Sequence, residues 1–369
     1  MARPHPALIG LAAGRPMPHS VEDPDRLLVT ALEHRMQGLL WSAVTRGEIE
    51  LPLETERRLA VLDLQTQAHH QRLWATLEEV TALLAQHEIE VATFKGVAAE
   101  ARWYDRMGER PSRDLDLWMS PHQIHRVDDA VRLLQPGHAL VGRLARLVKR
   151  GHLQSTDVFW GNQWLDLHVD PFKLGVPSRV LGTLWDQRVE LESGVSMLGP
   201  GASLVQFLTH LNKDRFSWLL GFADVTRLLD ADPEAATRAS EITRRDGFSV
   251  PVAKSMAVAT SVLGRRSALP SPSGWRARAW DFLWPPKVML GGDDGYLHAH
   301  HRQLLLPFLA PGRTQDAVAN VVRAALPHSD LMDEYFPDVG GWYPMRLVRG
   351  RARRWVERRR TRSRSSEGG

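Results

Sequence analysis

Hydrophobic positions along the chain change period twice. From about residue 25 to 90 they recur at helical spacing, first as Leu27, Leu28, Ala31, Leu32, Met36, Leu39 and Leu40. Pro52 punctuates a gap. A longer amphipathic run, Glu54 to about His87, carries Leu59, Leu62, Leu73, Leu77, Val80, Leu83 and Leu84. These helices are expected to pack against a sheet and to carry no chemistry. The apolar runs then shorten. Glu88–Phe94 reads as a strand, Gly96–Arg106 as the helix after it, and Asp114-Leu115-Asp116-Leu117-Trp118 alternates with period two, the signature of a second strand. Ser120-Pro121 supplies an N-cap and a first helical position for a helix His122–Leu134, which Pro136-Gly137 ends. Leu140–Gly151, rich in Arg and Lys, fits neither period.

Val158–Trp160 and Trp164–Val169 flank Gly161-Asn162, a short hairpin connection, and Pro171 closes the return strand. From Ser203 the helical period resumes through Leu204, Phe207, Leu208 and Leu211, then Leu219, Leu220, Ala223, Val225, Leu228 and Leu229. Further helices are predicted at Pro233–Arg245 and Val250–Leu263. A Pro/Ser/Arg-rich break, Arg265–Arg278, precedes the segment WDFLWPP and helices around 301–309 and 314–326. The chain ends in a basic helix fading into a disordered tail, and no internal repeat is visible. The predicted organisation is an N-terminal extension (1–24), a helical region (25–88), a mixed core (89–200), a helical domain (201–345) and a basic tail (346–369). The fold class is α+β, with a small mixed sheet between helical regions.

Composition refines this only modestly. A chain of 369 residues with 43% hydrophobic and 24% charged residues reads as a soluble protein able to bury a large core in two packed domains. The net charge of +4 is concentrated in Arg346–Arg364, so it does not describe the body. The absence of cysteine excludes disulfides, thiolate metal sites and cysteine nucleophiles, and suits a cytoplasmic setting. Ala7–Ala13 is too short and its surroundings too proline-rich for a signal peptide, and no apolar stretch is long enough to span a membrane. The 13 Trp residues are scattered and read as packing.

The alternation turns Asp114 and Asp116 to one strand face with no Lys or Arg between them. Such a pair repels itself unless a cation intervenes, and hard ions such as Mg²⁺ favour an oxygen-rich setting. Upstream, Lys95-Gly96 falls where a strand turns into a helix. Glycine admits close approach there, and a helix start offers N–H groups to a phosphate. Asp23-Pro24-Asp25 and Asp230-Ala231-Asp232 have the same spacing, but the first contains a proline, the second precedes Pro233 at a helix end, and neither lies in an alternating strand, so both read as solvated turns. A third carboxylate, Asp166, lies in the alternating run Trp164–Val169, with His168 on its face. Three acids on adjacent strands suit a two-metal phosphoryl-transfer site, with ions about 3.5–4 Å apart.

Lys95-Gly96, then Arg110-Pro111-Ser112-Arg113-Asp114-Leu115-Asp116, then Asp166-Leu167-His168 resembles the recurrent string of the uncharacterised nucleotidyltransferases of the polymerase-beta-like superfamily. The likeness takes in the helical lead-in and the later segment LTHLNKDRFSWLLGFADVTRLL, about residues 25–290. The wider superfamily usually has Gly-Ser, its serine helping to hold nucleotide phosphates, where this chain has Lys95-Gly96.

The resemblance implies a small nucleotidyltransferase sheet. It also implies Mg²⁺-dependent transfer, with two ions, of a nucleotidyl group from an NTP such as ATP to a hydroxyl or phosphate acceptor. The acceptor would be a small molecule, a peptide or a protein. Asp114, Asp116 and Asp166 would be the catalytic metal ligands, Asp166 also helping to activate the acceptor. Lys95, Gly96, Arg110, Arg113 and His168 would serve the nucleotide, with Arg110 either clamping phosphate or neutralising the acid pair. His210, Lys213 and Asp224 read as helix-packing residues in preference to pocket residues. Two other functions stay open: a kinase-like phosphotransferase using the same acids, and a scaffold with a vestigial site. The basic tail would contact nucleic-acid phosphates or anionic lipid, or stand solvated; no recognition motif accompanies it.

Overall fold

The computed structural model describes residues 3–172, 179–214 and 216–283, together with Val318 and Val322. The helices expected around 301–309 and 314–326 and the basic run Arg346–Arg364 lie outside these residues, except that Val318 and Val322 are helical. The chain opens with α1 (Pro6–Ala12), α2 (Pro24–Glu33), α3 (Gln37–Thr45) and the long α4 (Leu53–Gln86). The first apolar run is therefore two helices. Arg35 adopts φ 58°, and a left-handed residue cannot continue a right-handed helix. Along α4 the buried stripe Leu59, Leu73, Leu77, Val80 and Leu84 also contains Asp63 and His70, two ionisable residues on a mostly apolar face.

The mixed core follows as β1 (Val91–Thr93), α5 (Gly96–Trp103), β2 (Leu115–Met119), α6 (Val127–Leu134), α7 (Leu144–Lys149), β3 (Ser155–Trp160) and β4 (Gln163–His168). It is completed by α8 (Leu181–Asp186), β5 (Val189–Glu190) and β6 (Ser196–Met197). The first strand and α5 are shorter than expected. The predicted helix His122–Leu134 opens with a 3₁₀ turn, Pro121–Arg126, and Ser120 makes no side-chain cap bond. The six strands form one mixed sheet in the order β3-β4-β2-β1-β6-β5. β2 runs parallel to β4 and antiparallel to β1, while β3 and β4 form the expected hairpin.

Period-two alternation gives this sheet two different faces. Leu115, Leu117 and Met119 of β2, with Leu165 and Leu167 of β4, pack against α4, α6 and α7 in one core cluster. Trp118 of β2 turns the other way, into a larger cluster built by the helices on both sides of the core in sequence. Those after the core are α9 (Pro200–Lys213), α10 (Leu219–Ala231), α11 (Ala235–Asp246), α12 (Ser249–Leu263) and α13 (Trp275–Leu283). α13 begins inside the stretch expected to be a break. No described helix is long and apolar enough to cross a membrane.

Candidate active site

Asp116 and Asp166 are register partners across the parallel β2–β4 pair, and Trp118 partners His168 one step further along. The two carboxylates therefore stand side by side, as the alternation of each strand implies. His168 Nε2 lies 3.0 Å from Asp116 Oδ1 and 3.0 Å from Asp166 Oδ2. Atoms of these three side chains converge within 4.8 Å of one another, close enough to share a metal ion. His168 is fully buried with its ring edge-on to Phe94, and its Nδ1 has no hydrogen-bond partner among the described residues. With Nε2 facing two carboxylates, the consistent tautomer carries its proton on Nε2, so the imidazole holds the two acids together.

Asp114 lies one residue before β2, half-buried on the rim. Burial and the nearby Asp116 charge raise its pKa above the usual carboxylate value. For Asp116 burial pushes the same way. The Lys95 ammonium and the His168 hydrogen bond outweigh it, holding that carboxyl well below the ordinary range. Lys95 Nζ is 3.0 Å from Asp116 Oδ1. Its backbone is strained, with φ 56° and ψ −156°, a region glycine favours. Gly96 follows with φ 42° and packs so closely that an added Cβ would lie 2.7 Å from Ser112 Oγ. The tight turn directs Lys95 at the acids and starts α5 there, and the Lys95 side chain makes no cap bond to the first N–H groups of α5.

The loop from Gly108 to Asp114 is held from beneath by residues the sequence did not single out. Buried Glu100 accepts from the Gly108 and Arg110 N–H groups at 2.8 and 2.9 Å. Its other oxygen meets His70 Nδ1 at 2.6 Å, and the Ser112 N–H donates to His70 Nε2 at 3.0 Å. Because Nε2 accepts, the His70 proton sits on Nδ1 and is given to Glu100. Arg110 is committed elsewhere than expected. Its Nε and Nη2 grip Asp224 of α10 at 2.7 and 2.8 Å, and the Tyr104 hydroxyl donates to the same carboxylate at 2.6 Å. Burial alone would lower the Arg110 pKa, but Asp224 overrides it and holds the guanidinium above its usual value. The bidentate fork locks the loop to α10.

Beside the acids opens a cavity of about 250 Å³, lined by Lys95, Gly96, Arg110, Arg113, Asp114 and Asp116. His210 and Asp224 line it too; Lys213 is exposed and is not part of the lining. Burial and the neighbouring cations, Lys95 first, push the His210 pKa well down. A further wall comes from a region expected to carry no chemistry. Arg35, at the left-handed turn between α2 and α3, lies 4.0 Å over the Trp218 ring and faces the cavity. Burial and the like charge of Arg113 lower its pKa, so an anion between these guanidiniums would relieve both.

A further acid escaped the sequence reading. Asp157 of β3 is the register partner of Asp166, on the same sheet face, and is exposed. The alternating run Thr156-Asp157-Val158-Phe159 carried that signal. The D-x-D repeats elsewhere are not sites: Asp23 caps α2, and Asp230 and Asp232 pair with Arg265 and Arg238.

The mixed sheet thus carries adjacent carboxylates that could share a metal ion, beside a cavity walled by basic residues. The family model described as "Uncharacterised nucleotidyltransferase" matches residues 20–264, about two thirds of the chain, and the chain belongs to that family. No curated protein and no solved structure matches it.

Proposed function

We propose that the protein transfers a nucleotidyl group from an NTP, with Mg²⁺, to a hydroxyl or phosphate acceptor. The observation that carries this reading is the side-by-side pair Asp116 and Asp166, held by His168, opening on a cavity walled by Arg35, Lys95, Arg110 and Arg113. The residues fit a hard divalent ion. Carboxylate oxygens from adjacent strands converge within reach of one ion, the oxygen-rich setting that hard divalent ions favour. Asp114, Asp116 and Asp166 would hold the metal, which when bound would neutralise charge developing on the phosphate oxygens.

The chain's own groups supply the rest. Arg35, Arg113 and Lys95 bind the triphosphate, the N–H groups at the start of α5 receive a phosphate oxygen, and Arg110 fixes the loop through Asp224. His168 positions the two acids. Asp166 accepts the proton of the attacking hydroxyl as the new P–O bond forms and pyrophosphate leaves. A cytoplasmic setting, where NTPs and Mg²⁺ are abundant, suits this chemistry.

The test is calorimetry of ATP binding with and without Mg²⁺, on wild type and on an Asp114→Asn, Asp116→Asn double variant. Binding that requires both the metal and the acids supports a catalytic donor site, and the mass added to product then separates nucleotidyl from phosphoryl transfer. If no NTP binds under either condition, the reading fails and a non-catalytic scaffold takes its place.

A further inference from the structure

His210 stands in the last turn of α9 and lines the same cavity as Lys95, Asp114 and Asp116. It enters from the helical wall, whereas Asp116 enters from the sheet. Its side chain keeps 35% of its surface open, and its Nε2 lies 3.1 Å from Asp214 Oδ2, one helical turn further along. With Nε2 beside that carboxylate, Nδ1 is the nitrogen left to meet a ligand. An imidazole backed by a carboxylate at the wall of a binding cavity is suited to carrying a proton, because the carboxylate stabilises the imidazolium once it forms. The transfer steps assigned above make no use of it.

Charge decides when that proton is held. In the protein alone, burial and the cations Lys95, Lys213 and Arg110 keep the ring neutral. Asp116 pulls the other way, less strongly than either lysine. The cavity wall also carries Arg35, Arg113, Asp114, Asp214 and Asp224, the last of them gripping Arg110. A triphosphate among these cations reverses the balance. It stays anionic even with Mg²⁺ bound, so it offsets the lysines and guanidiniums and adds negative charge beside the ring. One unit charge about 6 Å away, at an effective dielectric of about 20, is worth about a hundredfold in protonation. The ligand itself can therefore turn the neutral ring into an imidazolium.

We propose that His210, backed by Asp214, is the proton donor on the triphosphate side of the site. It gains a proton as the donor nucleotide enters and holds it on Nδ1 against a phosphate oxygen. This rests on the nucleotidyl-transfer reading above. In transfer, the acceptor oxygen bonds to the α-phosphorus as the bond from that phosphorus to the α–β bridging oxygen breaks. The electron pair of the broken bond stays with pyrophosphate, which takes the His210 proton as it leaves. The acceptor's own proton passes to Asp166, so the site gains one proton and gives up one.

The experiment is calorimetry of the full chain with Mg²⁺ and α,β-methylene-ATP, an uncleavable donor analogue, between about pH 6 and 8. Each titration is run in two buffers of different ionisation enthalpy, which counts the protons exchanged on binding. Wild type should take up close to one proton more per nucleotide than His210→Gln. A proton bound with the ligand favours the complex at low pH, so wild-type affinity should rise, relative to the variant, by up to about tenfold per unit fall in pH. Nitrogen-15 NMR of the His210 ring should change from the neutral pattern in the free protein to the imidazolium pattern in the complex. Equal proton counts in the two proteins, or a ring still neutral in the wild-type complex, would overturn the His210 role while nucleotide binding still stood. If His210→Gln does not fold or bind, the wild-type ring signal decides alone. Absence of nucleotide binding by wild type would instead remove the nucleotidyl-transfer reading, and this role with it.

Discussion

On the flank of the acidic cluster formed by β1, α5 and the loop after it, charged groups answer one another. Lys95 meets Asp116, Arg110 meets Asp224 and Tyr104, and Glu100 gathers His70 and two loop N–H groups. On the opposite flank, the β3–β4 hairpin puts Phe159, Trp164 and Asp157 at the surface. Both flanks border the same pair of carboxylates and both derive from strand alternation. The difference teaches which half of the site is prearranged. Side chains on the first flank are fixed by buried ion pairs and hydrogen bonds, whereas the hairpin presents its aromatic pair on an exposed surface.

The largest expected effect tests that scaffold. Glu100→Ala strands the Gly108 and Arg110 N–H groups and the His70 Nδ1–H in a buried setting. It should cost about 3–5 kcal/mol of stability by chemical denaturation. Where the variant still folds, ATP affinity should fall with it, because the loop carrying Arg110, Arg113 and Asp114 loses its support. A loss below about 1 kcal/mol would mean that the loop is held by something other than this network. Next in size is Gly96→Ala. The added methyl would meet Ser112 Oγ at 2.7 Å on a backbone with positive φ, which should cost about 1–3 kcal/mol and disturb the start of α5.

The two flanks also differ in how legible they were. Asp114, Asp116, Asp166 and His168 could be read because each sits in or beside a short alternating run, where period two alone decides which side chains share a face. The hairpin turn Gly161-Asn162 was equally plain. The supports of the loop were not. His70 and Glu100 are 30 residues apart on different helices, and only tertiary packing brings them together. One trace existed: His70 falls on the apolar stripe of α4 three positions before Leu73, where a buried polar residue demands a partner. Arg35 left no trace, since neither glycine nor proline marks the left-handed turn that brings it to the cavity. Arg110 is expected from its motif to clamp phosphate or neutralise the acid pair, but its carboxylate partner Asp224 lies more than a hundred positions away on α10, and nothing local reveals the pairing.

A smaller effect follows from the Tyr104 hydroxyl, also on the wired flank. Burial first, then the Asp224 charge, raise its pKa well above the ordinary 10.0. The folded protein therefore keeps this proton at pH values where the unfolded chain has lost it. The stability it contributes is complete below about pH 10 and declines as pH rises toward the folded value, by about 1.4 kcal/mol per pH unit. Denaturant unfolding between pH 9 and 11 should show wild type losing stability faster than Tyr104→Phe. Parallel curves would mean that Tyr104 ionises freely and that this flank is more open to water than its hydrogen bonds imply.

The smallest expected effect lies on the other flank and decides whether the contrast holds. Trp164 is nearly half exposed and contributes no hydrogen bond between described side chains that would be stranded by its removal. Trp164→Ala should therefore leave unfolding stability within about 0.5 kcal/mol of wild type, since exposed positions away from caps, cavities and buried polar groups change little. A stability loss of about 2 kcal/mol or more would put Trp164 among groups the fold depends on, at the scale of a buried side chain. The hairpin would then be part of the scaffold, and the two flanks of the acids would be built alike.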